Sequence, residues 1–470
     1  MRKSLFLPLL AAGFLAGCAM GPNYHRAAIS APDSFRAAPS TTANNSESLG
    51  DVKWWEVFKD EKLQALEREA LAQNYDLRDA AARVEAASAA LGLTRSNQFP
   101  NLGANADIAT IRASRNGATP LPASFVPSQN RTFGAATLSL LSFELDIWGR
   151  LRRSTEAARA NLLSAEENRK AVMTTLVSEV AAAYFSLREL DYQLEISQRT
   201  LATRQESLEL IRNRQLGGVA TLLELRQAEQ LVYTAAETIP ALQQAIEQTE
   251  NQISLLLGRN PGDVARGLSL TEQQMPPDVP AGLPSALLER RPDIRASEQI
   301  LIAANAQIGV AKAAYFPQIS LTGFLGGQDS QLSNLFGGSS GVWNFTPQAT
   351  QPIFTAGRLK SNVQLSQALR NTALIQYEKT IQTAFTEVSS ALIAHQRARE
   401  SRVQQELLVG ALQDRTRLAY IRYRGGVDTL LNALDSDRDL FQAELALSQI
   451  RLNELNSVVQ LYKALGGGWQ

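Results

Sequence analysis

The run from Leu151 to Gln215 contains neither glycine nor proline over 65 residues. As one unbroken helix it would extend roughly 100 Å at the standard helical rise. A second run, Leu359 to Arg424, has no proline and a single glycine, Gly410. Both are rich in Ala, Gln, Glu, Arg and Leu, which favour helix. Small residues such as Ala181-Ala182-Ala183 let helices approach closely. Helices this long do not fold back into an ordinary globule, so an extended coiled-coil-like bundle or tube is expected.

The two runs belong to an internal duplication. Asp76-Leu77 matches Asp293-Ile294, Gly92 matches Gly309, Phe99-Pro100 matches Phe316-Pro317, and Leu102 matches Ile319, each pair 217 positions apart. Gly149-Arg150 matches Gly357-Arg358, Glu179-Val180 matches Glu387-Val388, and Gly217-Gly218-Val219 matches Gly425-Gly426-Val427, each 208 apart. The stretch between Pro317 and Gly357 is thus nine residues shorter than its first-half partner. Each half reads as helix, two strand-like segments, a very long helix, a glycine-containing turn and another helix.

The strand-like segments alternate. Leu102, Ala104, Ala106 and Ile108 fall on one face, with Gly103, Asn105 and Asp107 on the other. Phe143, Leu145 and Ile147 alternate with Glu144 and Asp146. A period of two with one apolar and one polar face fits a strand between lipid and water. The second return, Trp343 to Ile353, has Trp343 and Phe345, but Pro347 and Pro352 weaken it as a regular strand. Ser114-Arg115-Asn116-Gly117 leading to Pro120 and Pro122, and Gly337-Gly338-Ser339-Ser340-Gly341, read as exterior loops. Four strands cannot close a barrel, and an open edge in hydrocarbon leaves backbone groups unpaired at several kcal/mol each. The chain is therefore expected to share a barrel with copies of itself. Three copies give twelve strands, though period and composition do not choose between two, three and four.

The N-terminus reads as a secretory signal: Arg2 and Lys3, an apolar run from Leu5 to Phe14, then Ala16, Gly17 and Cys18. Cys18 is the single cysteine, so an intramolecular disulfide is ruled out. Leu15-Ala16-Gly17-Cys18 resembles the lipobox of bacterial lipoproteins. That resemblance implies a diacylglyceryl group on the Cys18 sulfur and cleavage that leaves Cys18 first. Two or more acyl chains make a stable anchor. Ala19, in place of an aspartate, favours sorting to the outer membrane. Covalent lipid on Cys18 is the only group expected on the protein, with no cofactor and no metal.

Enzymatic chemistry finds little footing. Only His25 and His395 are present, and with Cys18 assigned to lipid no Cys/His couple or zinc cluster remains. His395 lies in a long helix and suits a solvated or interhelical role. Gly466-Gly467-Gly468 follows a helix and reads as its stop, not a phosphate cradle. The formal net charge is zero, which gives no sign of nucleic-acid binding.

Several motifs together resemble the outer-membrane efflux proteins over essentially the whole mature chain. They are Gly218-Val219-Ala220-Thr221-Leu222-Leu223-Glu224-Leu225-Arg226-Gln227-Ala228, Glu289-Arg290-Arg291-Pro292-Asp293-Ile294-Arg295-Ala296, Ala313-Ala314-Tyr315-Phe316-Pro317, and Tyr462-Lys463-Ala464-Leu465-Gly466-Gly467-Gly468-Trp469. Trp54-Trp55 and Gly21-Pro22-Asn23-Tyr24 match as well. The pattern is most similar to the lipidated branch that serves resistance-nodulation-division pumps. It implies a mainly α chain with a transmembrane β-barrel: a trimer with a twelve-stranded outer-membrane barrel, a long periplasmic helical barrel and a mixed collar from the N- and C-terminal segments. It implies as partners a periplasmic adaptor (membrane fusion protein), an inner-membrane resistance-nodulation-division transporter and outer-membrane lipid.

At the helix tips, Arg422, Tyr423 and Arg424 precede the turn Gly425-Gly426, and Asp428, Asn432, Asp435, Asp437 and Asp439 follow it. The first-half tip carries Arg212, Arg214 and Glu224 around Gly217-Gly218. Acidic residues near a helix start are favoured by the dipole in any case. In a closed tube, though, one carboxylate per chain becomes a ring. Carried over from the family, Asp435 falls on a ring carboxylate, Tyr423 on a latch tyrosine and Glu224 on its acidic partner. Asn432 occupies a second ring position. Asp428 sits where some members have a latch arginine, which leaves Arg422 and Arg424 as substitutes. The turns at Gly217, Gly218, Gly425 and Gly426 are where an adaptor would dock.

The expected organisation is a signal peptide over 1–17, then anchor, N-terminal segment and first helices over 18–100. The first β-hairpin spans 101–148, and a long helix, tip turn and return helix span 149–258. A linker with the first helix of the second repeat covers 259–317, the second hairpin 318–356, and the second long helix, turn, return helix and C-terminal segment 357–470. The expected function is an outer-membrane exit duct that passively exports small molecules such as drugs. The competing readings are a lipid-anchored coiled-coil adhesin or spacer, and a duct for protein secretion or metal efflux.

Overall fold

The computed structural model describes residues 19–28, 32, 34–36, 48–51, 53, 57–112, 130–273 and 284–469. Cys18, the signal segment, Trp54-Trp55 and the Ser114–Pro122 stretch lie outside the described residues. Two compact units emerge, one from Met1–Ala27, Val84–Ser164 and Ser297–Tyr377, the other from Ala28–Arg83, Ala165–Ala296 and Glu378–Gln470. The helices are α1 Glu61–Gln73, α2 Tyr75–Ser96, α3 Arg150–Leu216, α4 Leu222–Leu256, α5 Leu287–Arg290, α6 Pro292–Ala313, α7 Arg358–Arg424 and α8 Leu430–Ala464. The strands are β1 Asn101–Arg112, β2 Asn130–Leu145, β3 Gln318–Asp329 and β4 Gly341–Thr350. The two longest helices, α3 and α7, have 67 residues each, and Gly410 does not interrupt α7.

The first unit holds one antiparallel sheet in the order β1-β2-β3-β4. Its register sorts the faces. Leu102 pairs with Leu140 and Leu140 with Gly323, which faces Phe345. One step along, Ala104 pairs with Leu138, Leu138 with Leu325 and Leu325 with Trp343. This apolar face carries exposed Leu102, Ile108, Leu138, Leu325, Trp343 and Phe345. Most residues on the opposite face are polar, including Asn105, Thr137, Ser139, Asn344 and Thr346, with Phe324 among them. β4 is regular through Pro347, opposite Leu321. That departs from the expectation of a weakened strand. Proline removes one backbone donor, but its fixed φ is compatible with extended backbone, and the pairing with β3 continues on both sides of it. β2, by contrast, stops at Leu145. Asp146 leaves the alternation to accept from the amides of Leu151 (3.0 Å) and Arg152 (2.8 Å), capping α3.

The N-terminal segment is fastened to this unit. The Met20 amide donates to the Trp148 carbonyl at 3.0 Å. Arg153 donates to the Met20 carbonyl and to Asn23, and Asn305 to the Pro22 carbonyl. Gly21 lies so close to Gly309 that a Cβ there would sit 2.5 Å from the Gly309 Cα, which accounts for a glycine ahead of Pro22-Asn23-Tyr24. The Tyr24 hydroxyl and the Arg26 guanidinium converge on Glu298 at 2.6–2.9 Å. Helices α3 and α6 meet through Ala157, Ala160, Ala303 and Ala306, so small residues do permit close packing here.

The second unit has the larger core, built around fully buried Tyr184, Phe185, Leu187, Leu63 and Ile253. Burying each such side chain contributes about 1.5–3 kcal/mol. Two polar hubs tie its segments. Asp60 caps α1 and also accepts from Tyr184, the Leu268 amide and Gln273. Arg291 forks onto Asp293 and reaches Glu387 and the Ala464 carbonyl. The Glu-Arg-Arg-Pro-Asp motif thereby fastens the end of α8. His395 shares a 3.0 Å hydrogen bond with Ser457, an interhelical contact.

Candidate functional site at the helix turns

The α3–α4 and α7–α8 turns share one geometry. Gly218 and Gly426 adopt left-handed backbone angles, φ +73° and +74°. Matching bonds close each helix end: Val219 N to the Arg214 carbonyl (2.8 Å) and Val427 N to the Arg422 carbonyl (3.1 Å). The positive φ is what requires glycine, since open space surrounds both positions. Leu216, Val219, Leu223, Val427 and Leu431 are exposed around these turns.

The starts of the return helices differ. Thr221 and Glu224 form a reciprocal capping box on α4: the Thr221 amide donates to Glu224 at 2.7 Å, and the Glu224 amide donates to the Thr221 hydroxyl at 3.2 Å. In the second half the corresponding residues are Thr429 and Asn432, and the Thr429 side chain makes no cap. Asp428 takes over, accepting from Asn432 (2.7 Å), Arg422 (3.0 Å) and the Thr429 amide (2.8 Å). These hydrogen bonds, that from Asn432 foremost, hold its carboxyl below the usual range.

Tyr423 is buried in an apolar cluster with Leu208, Ile211, Leu225, Val232, Leu430 and Leu434. Arg214 lies over its ring at 4.8 Å. The hydroxyl has no hydrogen-bond partner among the described residues. Burial pushes its pKa up, with the nearby Glu224 charge adding to the effect and Arg214 opposing it. Glu224 itself is engaged with Thr221.

Asp435 pairs with Arg438 at 3.2 Å and is partly exposed, and Asp439 pairs with Arg415 and Arg438. Asp437 points the other way. It is buried and accepts from the equally buried Arg204 at 2.6 Å. Helical spacing is the reason: residues two apart face different sides, while those three or four apart share one. Arg422 pairs with Asp428, and Arg424 is exposed. The turns thus collect Glu224, Tyr423, Asp428 and Arg422, with Asp435 and Asp439 farther along α8. Arg204 is the residue that sequence reasoning passed over. Its partner Asp437 is 233 positions away, and no local pattern marks it.

Long paired helices, an amphipathic sheet in one unit and charged turns in the other are the features of an outer-membrane channel protein. The model of the family "Outer membrane efflux protein" matches residues 66–259 and 283–467, one segment for each half of the duplication. The chain belongs to this family and is an outer-membrane exit duct for efflux. It is similar to the toluene efflux pump outer membrane protein TtgC of Pseudomonas putida, 40% identical over 100% of this chain and 96% of the relative. It is similar also to the cation efflux system protein CusC of Escherichia coli, 35% identical over 100% of each. Among solved structures, the open state of the Neisseria gonorrhoeae MtrE outer membrane channel superposes with a TM-score of 0.87, at 33% identity, covering 96% of this chain and 99% of that one.

Proposed function

We propose that three copies of the chain close their sheets into one twelve-stranded outer-membrane barrel, and that their helices form a periplasmic duct for small molecules such as drugs. The observation that carries this reading is the sheet: an exposed apolar face and two edges, β1 and β4, unpaired among the described residues. In hydrocarbon each unpaired backbone group costs several kcal/mol, so the edges are paired by neighbouring copies. Lipid on Cys18 fits the same picture. Met20, two residues on, is bonded to Trp148 just beyond the end of β2, so an anchor there would enter the bilayer beside the barrel. In this proposal a periplasmic adaptor and an inner-membrane resistance-nodulation-division transporter complete the pump, the adaptor docking at Gly217, Gly218, Gly425 and Gly426.

The turns are the gate of this duct. Asp435 on each copy forms a ring of carboxylates that attracts cations. Tyr423 and Arg214 keep the two tips together, while the Arg422–Asp428 pair braces the α7–α8 turn and Arg424 stands exposed beside it. In planar bilayers the purified protein should conduct, with a detergent mass of three chains. Asp435→Ala should lower cation selectivity, and Tyr423→Ala should raise conductance. A stable monomer with full β content would overturn the barrel. Wild-type conductance and selectivity in both variants would overturn the gate.

A further inference from the structure

The α3–α4 hairpin and helix α8 of the other hairpin are joined by a short series of polar contacts. From the core outward, Ser448 donates to Glu189 at 3.0 Å, Arg199 pairs with Glu444 at 2.8 Å, and Arg204 pairs with Asp437 at 2.6 Å. The last differs in kind. Arg204 is 3% exposed, and its guanidinium, carried on α3, touches two other helices at once. Nε donates to Asp437 on α8, Nη1 donates to the Leu231 carbonyl on α4 at 2.9 Å, and the group lies 5.0 Å from the centre of the Phe441 ring on α8. Nη2 is buried with no partner among the described residues. Between this point and the turns, the described polar and ring contacts between the hairpins are Ser207 with Tyr420 and Arg214 with Tyr423. The remainder is the apolar cluster around Tyr423.

A buried ion pair is a poor way to gain stability, because desolvation offsets the attraction, and an apolar pair of similar volume serves as well or better. What such a pair does supply is a fixed register. Sliding α8 by a turn, or rotating it by one residue, would leave two charges buried without partners. Apolar contacts farther out impose no such penalty and allow the tips to shift.

We propose that Arg204 is the positioning residue of the gate: with Asp437 it pins α8 to the α3–α4 hairpin and sets the point beyond which the tips part. This rests on the gate reading above. Asp437 therefore acts as an anchor inside each subunit, distinct from the carboxylates that face the pore.

The experiment replaces the pair by an apolar one, Arg204→Met with Asp437→Leu, and records single-channel conductance in planar bilayers beside thermal unfolding. Asp437→Asn, which keeps Arg204, carries the test if the double variant does not fold. Tyr423→Ala serves as the gate control. The expected result is an unfolding temperature near wild type for the double variant, with conductance raised several-fold and spread over multiple levels as register is lost, and a smaller rise for Asp437→Asn. If Tyr423→Ala raises conductance while the Arg204 and Asp437 variants hold the wild-type level, the pivot is overturned and the gate stands. If Tyr423→Ala changes nothing either, the gate reading itself fails and this inference falls with it.

Discussion

The Arg214 guanidinium lies 4.8 Å from the centre of the Tyr423 ring, and the hydroxyl of that ring bonds to nothing among the described residues. The contact between the two tips is thus made by the face of the ring and not by its oxygen. Tyr423→Phe should accordingly leave thermal stability unchanged or slightly raised, since it removes an unsatisfied buried hydroxyl. Tyr423→Ala should lower it by about 3–5 kcal/mol through the cavity left in the cluster. Denaturant unfolding of both variants checks this. A large loss from Tyr423→Phe would mean that the hydroxyl does have a partner in the assembled protein.

The two return helices start differently although the repeat places a threonine at each N-cap. Glu224→Ala should remove one arm of the α4 capping box and cost about 1 kcal/mol. Hydrogen exchange should speed at the amides of Thr221 and Glu224. Asn432→Ala, at the matching position of α8, should cost less, because there the cap depends on Asp428. Equal acceleration at both helix starts would contradict the asymmetry.

Much of this architecture is legible in the sequence because it rests on local periodicity. The proline-free runs, broken by a single glycine, give the long helices, alternation gives β1 and the last residues of β2, and the duplicated Gly-Gly-Val gives two turns of one shape. The failures are equally physical. Pro347 reads as a strand breaker in the sequence, yet it removes a single donor and β4 stays paired with β3 on either side of it. Asp437 was grouped with Asp435 and Asp439 because sequence proximity hides helical direction. Its partner Arg204 is 233 positions away, and only the packing of the two halves brings them together.

Glu67 is 1% exposed in the core of the second unit, and its Oε1 has no hydrogen-bond partner among the described residues. Burial pushes its carboxyl well above the usual range, and Arg68 only partly opposes this. The folded state therefore binds this proton more tightly than the unfolded chain does. Its contribution is fully present below the unfolded pKa near 4.5 and is lost as pH rises through the folded value. Glu67→Gln should raise the unfolding temperature at pH 7 and have little effect at pH 4. The opposite ordering would mean that the carboxylate is ionised and paired.

Asp60, seven positions earlier, should behave in the opposite sense. Burial alone would raise its pKa, but hydrogen bonds from Gln273, Tyr184 and the amides of Lys62 and Leu63 outweigh that and hold it below the ordinary carboxyl value of 3.8. The Leu268 amide adds a further donor at 2.9 Å. All of these groups donate, so the site suits a carboxylate and no neutral replacement. In Asp60→Asn the amide oxygen can still cap α1, but its NH2 would then face the Tyr184 hydroxyl, the Leu268 amide and Gln273. A hydrogen bond to a charged group contributes about 1.5–3 kcal/mol, so the variant should lose roughly 3 kcal/mol or more at pH 7. Because the folded pKa is depressed, the wild-type contribution is present above the unfolded value and disappears as pH falls through the folded one. The gap between wild type and Asp60→Asn should narrow steadily as the pH is lowered from 5 towards 3, followed by thermal unfolding at each pH. A gap that holds constant across that range would mean that Asp60 contributes through shape alone and that its charge is immaterial to the core.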